Sequence, residues 1–167
     1  AYNEPELKAD AEKELKDVYA DFNYQEQKPG GEAKEMRLID SVHNALSLAM
    51  QKHRNLVLMG QDIADYGGVF KATEGFVDKY GKDRVRNTPL CEAAILGSAL
   101  GLSINGYKSM VEMQFADFVS EGFNQIVNNL AKVHYRWGQN ADVVVRMPTG
   151  AGVAAGPFHS HSNEAWF

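Results

Sequence analysis

Among 167 residues there is a single cysteine, Cys91, so no internal disulfide can form and the fold must rest on packing. A lone cysteine also fits a reducing compartment. An excess of positive charge is missing too. Lys and Arg number 17 against 22 Asp and Glu, for a net charge of −5, which argues against a nucleic-acid partner because phosphates need a basic face. No apolar run approaches the roughly 20 residues of a membrane span, so no membrane partner is expected. The first residues carry no charged-then-apolar secretory pattern. What remains is ordinary: 44% hydrophobic and 23% charged residues, a composition that argues against disorder, collagen and coiled coil. The length suits one domain, and a chain of this size can bury about two thirds of its unfolded surface without a metal to hold it.

Leu7, Ala11, Leu15, Val18 and Phe22 recur at helical spacing in an acidic stretch, which predicts one amphipathic helix over 4–22. Lys28-Pro29-Gly30-Gly31 then reads as a linker. Leu38, Ile39, Val42, Leu46 and Ala49 mark a second helix ending near His53. Beyond it, short apolar runs alternate with helical patterns. Leu56–Met59, Arg84–Asn87, Met110–Met113 and Val143–Val145 read as strands. Residues 70–80 read as partly helical, 91–104 as an apolar helix, and 119–137 as one long amphipathic helix. Such alternation predicts a three-layer α/β/α fold with a mostly parallel sheet. Leu56–Met59, Met110–Met113 and Val143–Val145 are its expected central strands, apolar on both faces. The chain starts without Met and stops at Trp166-Phe167, which reads as a piece of a longer protein.

Several residues invite a chemical reading, each beside a plainer one. Glu92 stands at the start of an apolar helix. It could do no more than complement the helix dipole, for a few tenths of a kcal/mol. A carboxylate placed on so apolar a helix is also costly if buried, and such groups cluster at functional sites. His159 and His161 flank Ser160. A metal pair lacks a third ligand, and a single proton-handling imidazole is the better reading. His43, His53 and His134 read as surface or packing residues. Gly150, Gly152 and Gly156 do not match the dinucleotide fingerprint and read as a loop. Lys71, Lys79, Lys82, Arg84 and Arg86 form a solvated face or a docking surface for an acidic partner.

The motifs in order are Met59-Gly-Gln-Asp-Ile63, Gly67-Gly-Val-Phe70, Lys79-Tyr-Gly-Lys-Asp-Arg-Val85 and Asn87-Thr-Pro-Leu-Cys-Glu92. Glu112-Met-Gln-Phe-Ala-Asp-Phe118, Asn124-Gln-Ile126 and His159-Ser160 complete the series. From Met36 to Phe167 the chain resembles the beta subunit of thiamine-diphosphate-dependent 2-oxo-acid dehydrogenases. The stretch from Lys79 to Glu92 is most similar to the branched-chain (2-oxoisovalerate) members, with pyruvate and acetoin enzymes behind. Residues 1–27 resemble the closing helix of the alpha subunit. The resemblance therefore implies three parts of an alpha–beta fused chain: alpha-like 1–27, a linker 28–36, and a pyrimidine-binding domain 37–167.

The resemblance also implies roles. Glu92 matches the glutamate that bonds a ring nitrogen of the cofactor's aminopyrimidine and acts as its proton lever. Phe118 matches the aromatic packed on that ring, with Gln114 near it. His159 matches the histidine that assists acyl transfer to the lipoyl arm. The implied partners are the alpha-like region, a lipoyl-bearing acyltransferase core, a 2-oxo acid substrate and further copies of the chain. The implied compartment is the bacterial cytoplasm, with the mitochondrial matrix as alternative. The family's magnesium and diphosphate ligands, a Gly-Asp-Gly run with paired Asn, are expected outside this chain. Four positions depart from the pattern: Gln61 for Glu, Asn124 for Asp, His161 for Gln and Asn163 for Pro. A transketolase-type transferase and a non-catalytic domain of the same fold are the rival readings.

Overall fold

The computed structural model describes residues 2–28 and 30–167. Four strands form one sheet: β1 (Leu56–Gly60), β2 (Val85–Asn87), β3 (Lys108–Glu112) and β4 (Val143–Arg146). Their order is β2-β1-β3-β4 and every pairing is parallel. In chain order the helices are α1 (Ala11–Asp17), α2 (Leu38–Lys52), α3 (Phe76–Tyr80), α4 (Glu92–Ile104), α5 (Val119–Asn124) and α6 (Val133–Trp137).

Alternation of side chains across the strands divides the core in two. Leu56, Leu58 and Met110 pack with Met50 of α2 and Phe76 of α3 on one face. Val57, Met59 and Val111 pack with Ile95, Leu96 and Ala99 of α4 and Val119 of α5 on the other. Helices thus cover both faces of a parallel sheet, and the predicted three-layer α/β/α architecture holds. Burying two or three of these aliphatic side chains contributes about 1.5–3 kcal/mol apiece.

Three expectations need correction. Val143–Val145 is the core of an edge strand, not a central one: β4 pairs only with β3, and Val144 is 62% exposed. Its apolar residues are covered on one face alone, by the α4 side. The acidic N-terminal stretch holds a helix only over Ala11–Asp17, capped by the Asp10 side chain on the N–H groups of Glu12 and Lys13. Leu7, Leu15 and Phe22 are exposed, so no packing extends a helix that is too short to persist on propensity. The expected long helix over 119–137 is interrupted. Gln125–Leu130 winds as a π-turn, closed by Ala131 N–H on the Ile126 carbonyl at 2.9 Å, and Ala131-Lys132 breaks it before α6. The extra residue per turn keeps Ile126 and Leu130 on the core while Val133 is buried.

Candidate functional site

All four strands point their carboxyl ends one way. β1 leads to β2 on one side, and α4 then carries the chain back to β3 on the other. The connections therefore diverge between β1 and β3, the place where open parallel sheets bind ligands. Gly60 ends β1 opposite Glu112. A Cβ at Gly60 would lie 3.0 Å from the Glu112 carbonyl oxygen and 3.1 Å from its Cβ, so glycine lets the two strand ends approach. Asp62 then turns the chain at φ 58, a conformation that Asp tolerates better than most residues.

Glu92 is the first residue of α4 and is partly buried. Gln61 Nε2 donates to its Oε1 at 3.0 Å. Gln61 is only 4% exposed, and its own Oε1 has no partner. An unsatisfied buried acceptor costs about 1–3 kcal/mol, which marks the spot as unfinished for packing alone. Helix α5 closes onto the same turn at Gly122, where a Cβ would lie 2.3 Å from Leu96 Cδ1 and 3.4 Å from the Glu92 carbonyl oxygen.

The other candidates join in a chain of contacts. Gln114 Nε2 donates to Asp62 Oδ2 at 3.3 Å, beside Gln61. The next residue, Phe115, meets the His159 ring edge-on at 4.8 Å between centroids. Phe118 meets the same imidazole at 5.3 Å, again edge-on. Phe70 and Phe118 each pack against Phe115, at 5.9 and 5.8 Å. Of the four candidates, Phe118 and His159 are in direct contact, whereas Glu92 and Gln114 are linked through the adjacent residues Gln61 and Asp62. His159 also borders a cleft of about 770 Å³ with Phe70, Phe115, Arg146 and Pro148, beside the first turn of α2.

Sequence reasoning missed the ion pair behind this cleft. Glu112, 2% exposed, accepts a hydrogen bond from Arg146 Nη1 on the neighbouring strand. Burial pushes the Glu112 carboxyl above its ordinary 4.5, although the Arg146 charge pulls it down. The available signal was a glutamate inside the apolar run Met110–Met113. His161 pairs through Nδ1 with Asp117 Oδ1 at 3.2 Å, whereas His159 packs on Phe115 and Phe118. No three His, Cys, Asp or Glu side chains come together as a metal cluster among the described residues. His43 is a packing residue: Nδ1 lies 3.1 Å from the Ala72 carbonyl oxygen, and its ring rests on Phe76. The basic cluster is partly internal, because Arg84 donates to the carbonyl oxygens of Met50, His53 and Leu56.

Comparison with known proteins identifies the family of the fold. The profile of the pyrimidine-binding domain of transketolase matches residues 34–167. The chain belongs to that family. This pyrimidine-binding domain is 44% identical over 140 residues to the mitochondrial 2-oxoisovalerate dehydrogenase subunit beta of Dictyostelium discoideum. That match covers 82% of the chain and 38% of the relative. It is 40% identical over 134 residues to the Bacillus subtilis (strain 168) subunit beta of the same name, covering 79% of the chain and 41% of the relative. The pyruvate dehydrogenase E1 component subunit beta of Acholeplasma laidlawii is 39% identical over 132 residues, covering 78% of the chain and 40% of the relative. The domain therefore spans about two fifths of the length of these relatives. None of its described helices is long and apolar enough to cross a membrane.

Proposed function

We propose that this domain forms the pyrimidine-holding half of a thiamine diphosphate site in the decarboxylating component of a 2-oxo-acid dehydrogenase. The observation that carries the reading is the Glu92–Gln61 pair at the sheet's switch point. Among the described residues only Gln61 bonds to the Glu92 carboxyl, and the buried Gln61 Oε1 lacks a donor. A free carboxylate oxygen and an unpaired amide acceptor beside an aromatic cluster suit an aminopyrimidine, which offers ring nitrogens, an exocyclic amine and a flat face. When bound, thiamine diphosphate supplies the electron sink for decarboxylating a 2-oxo acid.

The chain's own residues then divide the work. Gln61 donates to Oε1 of Glu92, so a proton on Glu92 resides at Oε2, free to be given or taken. Phe118 and Gln114 bound the ring. His159 handles a proton at the mouth, where the acyl group passes to a lipoyl arm. The diphosphate and magnesium belong to an alpha-like region, of which residues 1–27 are the closing part and 28–36 the linker. The family match begins at residue 34, inside that linker, and bears only on the pyrimidine-binding part. Relatives named for 2-oxoisovalerate and pyruvate favour the dehydrogenase over a transketolase-type transferase, with the branched-chain acid first. The lipoyl-bearing acyltransferase core is the partner this chemistry requires.

In the full-length enzyme, Glu92→Gln is expected to lower turnover about 10²–10⁴-fold with the unfolding midpoint unchanged. Near-normal turnover would place the proton lever elsewhere. Carbon dioxide release from 2-oxoisovalerate against pyruvate ranks the two substrates.

A further inference from the structure

Residues 149–161 carry His159 on a loop that the core does not hold. None of them is buried. Its regular structure is two short 3₁₀ turns, Ala151–Val153 and Gly156–Phe158, with Gly150, Ala154 and Gly156 at positive φ. Between its two end residues the internal bonds are few: Ala154 N–H to the Ala151 carbonyl at 2.9 Å, Ala155 N–H to Ser160 Oγ at 3.1 Å, and His159 N–H to the Gly156 carbonyl at 3.5 Å. Such a segment opens locally at little cost unless its ends are tied. The His159 ring makes only the two edge-on aromatic contacts with Phe115 and Phe118 among the described residues. Its orientation therefore depends on where the loop's ends are held.

Both ends are held by one turn, Ala116–Phe118. Ala116 N–H donates to the Pro148 carbonyl at 2.9 Å, just before the loop. Asn163 Nδ2 donates to the Ala116 carbonyl at 3.1 Å, just after it. Asp117 Oδ1 accepts the His161 backbone N–H at 3.3 Å and faces His161 Nδ1 at 3.2 Å. Thr149 Oγ1 donates to the His161 carbonyl and closes the base. The Asp117 side chain is 8% exposed, and its Oδ2 is buried without a partner. Burying a carboxylate with one oxygen unsatisfied is costly, so packing does not account for its placement. Phe118 ends the same turn and Phe115 precedes it. The turn thus grips the loop at its base and touches its tip. His161 and Asn163 are two of the positions that depart from the resembled pattern, so this chain makes the grip with residues of its own.

We propose that Asp117 is a positioning residue: with His161 it clamps the 149–161 loop and sets the His159 imidazole against Phe115 and Phe118. This rests on the reading of His159 as the residue that assists acyl transfer. The test uses full-length enzyme with thiamine diphosphate, magnesium and 2-oxoisovalerate. Decarboxylation is read with ferricyanide as electron acceptor, and acyl transfer is read on an isolated lipoyl domain. Displacing a transfer group by about 1 Å costs up to about 10²-fold. Asp117→Ala and His161→Ala are expected to slow lipoyl acylation at least about tenfold while decarboxylation stays within about threefold. His161→Gln, whose amide can replace the Nδ1 donor, is expected to restore acylation. Hydrogen–deuterium exchange at 154–161 should quicken in the two alanine variants and not in His161→Gln. His159→Ala is the control. If it loses acylation while Asp117→Ala and His161→Ala keep theirs, the clamp is overturned. If His159→Ala itself keeps acylation, the role of His159 fails, and exchange at 154–161 decides the clamp: unchanged exchange overturns it and faster exchange supports it. Equal loss of both reactions with a lowered unfolding midpoint makes Asp117 a structural residue and overturns the proposal.

Discussion

Glu112 and Glu92 are both carboxylates near the carboxyl edge of the sheet, and their surroundings separate them. Glu92 begins a helix, is partly buried and receives a neutral amide N–H from Gln61. Glu112 ends a strand, is almost wholly buried and faces a guanidinium. For Glu112 the loss of water outweighs the attraction of Arg146, and its pKa rises above 4.5. The fold then holds the Glu112 proton more tightly than the unfolded chain does. The stabilisation from this group is complete below the unfolded value and is lost as pH rises through the folded value. Glu112→Gln does not titrate. The stability of the native chain minus that of the variant should therefore fall as the pH rises above the ordinary carboxylate range, measured by urea unfolding at each pH. A difference that stays constant, or rises, would mean that Arg146 dominates the site.

At the scale of elements, the segment from β1 to α3 shows how a loop is built to sit beside the crevice. Gly68 N–H donates to the Asp62 carbonyl at 2.9 Å, and Thr73 N–H to the Gly67 carbonyl at 3.1 Å. Thr73 Oγ1 donates to the Ile63 carbonyl at 2.6 Å. Lys71 donates to the Tyr66 carbonyl and lies 3.4 Å from the centre of that ring. Gly67 has φ 79, and a Cβ there would stand 2.6 Å from the Glu74 Cα. The obstacle is backbone, which cannot swing aside as a side-chain end can. Gly67→Ala should therefore cost about 1–3 kcal/mol from left-handed strain and overpacking together. Chemical denaturation checks the loss. A variant as stable as the native chain would show that the loop relaxes freely. At Gly122 the obstacle on α4 includes the flexible end of Leu96, so the same substitution is less severe in kind.

For the whole molecule, the crevice has a polarity that bears on the proposed cofactor. Asp62, Glu92 and Glu112 gather there, and the guanidinium of Arg146 is engaged by Glu112. Acidic side chains do not attract a diphosphate. What the domain offers a cofactor is ring contact and a few hydrogen bonds, each worth about 1 kcal/mol net, against several kcal/mol of association cost. Calorimetry of this chain with thiamine diphosphate and magnesium should show a Kd weaker than about 100 μM. Micromolar affinity would put the diphosphate ligands within these residues and overturn the assignment of that half to the alpha-like region. Phe123 meets Trp166 and Phe167 at 6.1 and 5.7 Å, yet both end residues stay about half exposed.

Local pattern determined the alternation of strands and helices, because apolar period and length are properties of short segments. The runs at 56–59, 85–87 and 143–145 and the helices at 38–52 and 92–104 were legible for that reason. Motif resemblance likewise singled out Glu92, Gln114, Phe118 and His159, whose roles are the ones proposed above. Sequence spacing did not carry what depends on neighbours distant in the chain. β4 became an edge because strand order is a tertiary choice. The acidic N-terminal stretch kept only Ala11–Asp17 helical because no surface covered its apolar stripe. The unpaired oxygen of Gln61, the Glu112–Arg146 pair and the grip of Asp117 on His161 arise where segments tens of residues apart meet. Burial and electrostatics are set by what surrounds a group in space, and only the folded chain decides that.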